Sequence, residues 1–145
     1  MKPDLLLAAG FCSLLAASLH IAVIIGGPDW YRFFGAGEAM ARMAEQGLLR
    51  PLLITLGIAA MLALWAAYAF SGAGVIPRLP LLKLVLPMIT SVYLMRGIAG
   101  LIVPLLNDHA LLAQNSAMFW VWSSIICLTI GLVHLAGVIG AWSEL

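Results

Sequence analysis

The chain has 145 residues, 64% of them hydrophobic and only 9% charged, where a soluble domain carries about 25% charged residues. It cannot cover its own surface with polar groups in water, so a lipid bilayer is its expected surroundings and first partner. A net charge of +1 leaves no basic face for nucleic acid, and no basic run of the kind that binds anionic lipid headgroups stands out.

The first element in chain order is 5–25, a run without Asp, Glu, Lys or Arg. At about 1.5 Å per residue it crosses a bilayer core. It is long for a secretory signal and reads as a retained span. Ala9, Ser13, Ala16, Ala17 and His20 recur at helical spacing, so this small-residue face is expected to point inward. Residues 26–50 form a connection that is long for a compact bundle. Gly26, Gly27 and Pro28 end the first helix, and Trp30, Tyr31, Phe33 and Phe34 cluster as interfacial aromatics do. From about 36 to 46 the pattern becomes amphipathic, with Glu38, Arg42 and Glu45 on one stripe and Met40, Met43 and Ala44 on another.

The second span is 51–70, opened by Pro51 and thinned by Gly57 and several alanines. A short loop, 71–83, carries Gly72, Gly74, Pro77 and Pro80 as breakers and Arg78 and Lys83 as its charges. The third span, 84–106, is interrupted by one charge, Arg96, and Asn107, Asp108 and His109 close it. The fourth span, 117–142, has a small and polar face of Ser124, Cys127, Gly131, His134, Gly137 and Val138, with Ala136 and Gly140 as a small-xxx-small pair. Trp120 and Trp122 near one end and Trp142 near the other match interfacial belts. The fold class is therefore all-α: a single membrane domain of four transmembrane helices, with a short amphipathic helix in the first loop. An even number of spans puts both ends of the bundle on one side. Counted by Lys and Arg, the two sides tie at three each. The two unopposed positives of the short second loop favour a cytoplasmic N-terminus.

Arg96 carries the most information. A charge near a helix centre costs about 2.5–3.5 kcal/mol on insertion scales, so something must offset it. No span offers an acid. Three readings stay open: a tie between helices made by snorkelling and by bonds to backbone or water, a pairing with Glu38 if the first loop dips inward, and a waiting anionic ligand such as a carboxylate or lipid phosphate. Glu38 also stands four residues before Arg42, the favoured spacing for a solvated helical pair. Side chains lean toward the N-terminus of their helix, which would carry Arg96 away from the first loop.

His20 and His134 fall at depths about 18 Å apart on antiparallel helices, too far for two axial ligands of one haem. No histidine pair has the spacing of a helical metal site. Cys12 and Cys127 lie far apart in apolar runs with no CxxC, and read as packing residues. No cofactor and no metal are expected, and no residue is assigned a catalytic role. The candidate ligand-binding residues are Arg96, Glu38, His20, Tyr93 and His134.

The general plan, with Phe33-Phe34-Gly35-Ala36-Gly37-Glu38 after the first span, resembles the small four-helix membrane proteins called DoxX-like. The family's arginine early in the first span and its Gly-Leu-Pro turn before the second have no counterpart here. The resemblance implies the four-span architecture and, for some relatives, a role as a subunit of a quinone-linked oxidoreductase. The expected function is binding or transport of a small anionic or amphipathic ligand near Arg96. The alternatives are an accessory subunit that packs on a membrane-protein partner or a second copy, and an intramembrane enzyme using Arg96, Glu38 and His20. The expected location is a bacterial inner membrane.

Overall fold

Helix boundaries fall where backbone chemistry forces them. In the computed structural model, which describes residues 2–106, 115 and 117–145, the first helix, α1 (Lys2–Gly26), stops at the Gly26-Gly27-Pro28 break. Pro28 then opens α2 (Pro28–Phe33), where its missing N–H is no loss. This short helix occupies the aromatic stretch that the sequence suggested only as an interfacial cluster. Pro28 in the first turn, followed by Asp29, is the helix-start signal it carries. The amphipathic helix, expected at 36–46, is α3 (Glu38–Glu45). It ends as Leu48 N–H reaches back to the Met43 carbonyl across Gly47, whose φ of +70° a side chain would resist.

The remaining long helices are α4 (Leu49–Gly72), α5 (Leu82–Ile102) and α6 (Ala117–Ala141). The third span is helical only to Ile102. Pro104 has no N–H to give the Gly100 carbonyl, and Val103–Leu106 tightens into one 3-10 turn. No strand occurs among the described residues. Asn107, Asp108 and His109 lie outside them.

The four long helices run antiparallel in a ring. α1 packs on α4 and on α6, α5 packs on α6, and the α4–α5 seam is slight. Glycines set how closely they approach. Gly97 faces Leu128, Gly131 faces Leu94, and Gly137 faces Leu6. The expected Ala136 and Gly140 pair does not serve here: Ala136 is exposed and Gly137 makes the contact with α1.

The core is stacked in three layers. Leu6, Ala69, Leu86 and Ala141 fill the end shared by the start of α1 and the finish of α6. Ala17, Leu62, Ile89, Tyr93 and Ile130 fill the middle. Val23, Tyr31 and Ala41 fill the far end, where α2 and α3 close the bundle and the Thr55 hydroxyl donates to Tyr31 Oη at 3.3 Å. Outward, large apolar side chains such as Leu15, Leu64, Met95 and Ile126 stay exposed at mid-helix. Four helices are long and apolar enough to cross a membrane, and this girdle is what lipid-facing surfaces require.

One polar bond crosses the middle layer. The hydroxyls of Ser13 and Tyr93 meet at 3.0 Å, fully inside the protein. Tyr93→Phe strands the serine and is expected to cost about 0.6 kcal/mol, and no more than about 1.7, which is the range for bonds between helices in lipid. Reversible unfolding in mixed micelles measures it.

Candidate anion-binding site

The register of α5 against α6 places the backbone of Arg96 deep and its head group shallower. Gly97 stands opposite Leu128 and Gly100 opposite Ser124. The guanidinium nevertheless bonds to Ser123 Oγ at 3.2 Å and Ser124 Oγ at 3.5 Å, and its centre lies 5.0 Å above the Trp120 ring. It has climbed one to two helical turns toward the start of α6. The expected lean toward the N-terminus of its own helix is therefore reversed. A flexible side chain of this length follows its polar partners rather than the Cα–Cβ direction. Gly100 opens the route, since a Cβ there would overlap Ser124 Oγ and come 2.5 Å from Arg96 Nη1.

The site is rich in donors and poor in acceptors. No carboxylate among the described residues pairs with Arg96. Trp120 Nε1 is a buried donor without an acceptor among them. Trp120 also belongs to the first turn of α6, whose backbone N–H groups have no partner within the helix. The turn between α2 and α3 borders this corner, with Gly35 set against the Phe119 ring.

Glu38 is engaged elsewhere. It accepts from Arg32 at 2.8 and 3.1 Å and from Arg42 at 3.1 Å, while Arg32 also reaches Glu45 at 2.7 Å. The solvated pair with Arg42 is present and Arg32 joins it. These two guanidinium groups hold the Glu38 carboxyl down to about 2, and its partner Arg32 is pushed up in turn. Because the folded value lies below the ordinary one of 4.5, this pairing stabilises α2 against α3 above that pH and is lost as pH falls toward 2. A carbon-detected NMR titration of Glu38 is expected to find its midpoint near 2, moving up toward 4 in Arg32→Gln.

The two span histidines share one arrangement. His20 Nδ1–H donates to the Ala16 carbonyl at 2.7 Å, and His134 Nδ1–H to the Ile130 carbonyl at 3.1 Å. Each ring is thereby held by its Nδ1 proton against the preceding turn of its own helix. His134 is wholly buried, its Nε2 has no partner among the described residues, and its ring tilts at 36° over Tyr93 at 5.2 Å. The structure thus unites two of the five candidates, Tyr93 and His134, with Ser13 and with Trp65 edge-on at 5.1 Å. Arg96 has a separate set of partners, and Glu38 and His20 have their own. No group of three His, Cys, Asp or Glu among the described residues is placed to hold a metal.

Ser123 and Gly100 escaped the sequence reading, and Trp120 registered only as a belt residue. The signal was the pairing of small residues on facing helices, which fixes the register only once the neighbours are known. Searches with the chain find no matching family model, curated protein or solved structure.

Proposed function

We propose that the chain is a multi-pass protein of a bacterial inner membrane that binds a small amphipathic anion at Arg96, for sensing or transport. The head group, a carboxylate or phosphate, meets the guanidinium and the Trp120 N–H between α5 and α6. The apolar part lies along exposed residues on one flank of α5, such as Met95 and Ile102. The observation that carries this reading is a guanidinium held by two serine hydroxyls and an indole face, with no carboxylate among the described residues. Such a cation keeps unused donors in the fork geometry that a carboxylate or phosphate accepts. The bundle end formed by the start of α1, the α4–α5 connection and the end of α6 is cytoplasmic in this proposal, on the strength of Arg78 and Lys83.

Oleate is the probe. Bound to the protein in phosphatidylcholine nanodiscs, it is expected to lose about tenfold or more in affinity in Arg96→Leu, because a charge-assisted bond is worth about 1.5–3 kcal/mol. Arg96→Lys is expected to retain part of the affinity. Both variants should keep wild-type helicity. Equal affinity in Arg96→Leu would overturn the reading.

A second reading, an accessory subunit, is favoured by the exposed Gly57, Ala60 and Ala63 of α4, a thin surface suited to a partner helix. The DoxX-like plan points the same way. A heavier assembly on native electrophoresis, dispersed by Ala60→Trp, would support it.

A further inference from the structure

At the opposite end of the bundle the α4–α5 connection forms a cleft of about 420 Å³ beneath Arg78 and Lys83, floored by Leu79 and Leu82. A second recess of about 280 Å³ adjoins it and shares Arg78 and Leu82. Neither cation has a carboxylate partner among the described residues. Arg78 spends one N–H on the Glu144 backbone carbonyl at 3.2 Å, which fixes the guanidinium at the mouth and leaves its other donors free. Lys83 Nζ lies 5.8 Å above the Trp142 ring, at the level where tryptophan marks a membrane interface.

The backbone at this cleft is strained. Leu81 has φ +59° and ψ +29°, a left-handed conformation that a leucine resists, and it is the one non-glycine residue with positive φ among those described. Its carbonyl accepts from Leu84 N–H and Val85 N–H, so the start of α5 holds it there. The side chain is left 67% exposed at the rim. Strain of this kind persists where the surrounding structure holds it, and it recurs at ligand clamps.

We propose that this cleft seats the head group of an anionic phospholipid, with the phosphate between Arg78 and Lys83. The guanidinium offers a planar fork and the ammonium a mobile point charge, and a phosphodiester accepts from both. Leu81 and the floor leucines meet the glycerol and the first acyl carbons. Glu144 borders only the second recess, whereas Arg78 and Leu145 border both and Lys83 only the first. No run of basic residues marks the site in the sequence. The fold makes it by bringing two cations to the lining of one hollow.

The test uses the full chain in nanodiscs of phosphatidylcholine with a minor share of phosphatidylglycerol, followed by native mass spectrometry of the lipids retained on extraction. Wild type is expected to retain phosphatidylglycerol preferentially, and Arg78→Gln with Lys83→Gln to lower that enrichment about tenfold. The same loss is expected in an Arg96→Leu background, so that lipid held at the other end of the bundle is not counted. Arg78→Lys should keep most of the enrichment. Inorganic phosphate at millimolar concentration should leave it unchanged, because the acyl contacts are part of the seat. Equal retention of both lipids, undiminished enrichment in the double variant, or displacement by inorganic phosphate would each overturn the proposal.

Discussion

Gly97→Val is expected to lower the stability of the bundle by about 3 kcal/mol, the upper part of the range for overpacking. A Cβ at this position would come 2.5 Å from Leu128 Cγ and 2.9 Å from the Leu128 backbone nitrogen. A leucine tip can rotate away; a backbone nitrogen inside a helix cannot. α5 must then move off α6, and every contact along that seam loosens with it. Gly57→Val is the control, since nothing lies within 4 Å of a Cβ there. It should be neutral or slightly stabilising, because glycine is about 1 kcal/mol worse than alanine in a helix interior. Unfolding of both variants in mixed micelles decides the matter: similar values for the two would mean that the seam does not depend on close backbone approach.

Gly100→Val is expected to remove two properties at once. Its Cβ would overlap Ser124 Oγ and stand 2.5 Å from Arg96 Nη1, so both the helix seam and the path of the guanidinium are blocked. Stability should fall by about 2–3 kcal/mol, and oleate affinity should fall as far as in Arg96→Leu. Adding Ser124→Ala separates the effects. It removes the hydroxyl and should recover part of the stability, while the arginine stays displaced and binding stays weak. Recovery of binding in the double variant would show that the serine, not the route of Arg96, is what Gly100 protects.

The long helices were legible because their signals are local. A run of apolar residues ended by Gly-Gly-Pro or opened by Pro51 needs no neighbour to be read, and the observed α1 and α4 extend those runs by one to three residues at each end. The inward face of α6 was legible for the same reason, since Ser124, Gly131, His134 and Gly137 recur at helical spacing and all four are buried. Which helices touch was not legible. The Ser13 and Tyr93 bond joins residues 80 apart, and nothing in either segment names the other. Arg96 shows the limit most clearly. Its depth could be counted along the chain, but the direction of its side chain depended on Gly100, Trp120 and two serines, each ordinary where it stands. Leu81 gave no sign at all, because an αL leucine is imposed by how Pro80 and the start of α5 meet.

The slight α4–α5 seam lies between two consecutive hairpins, and the broad α1–α4 and α5–α6 joins lie within them. As synthesis proceeds, the first hairpin can zip before the second has left the ribosome, and the second then docks by laying α6 along α1. The peptide link between the halves adds local bonds, such as Leu79 N–H to Ser71 Oγ and Arg78 to the Glu144 carbonyl, but no helix interface. Severed between Gly74 and Pro77, two co-expressed fragments would retain every large interface and reassemble without a tether.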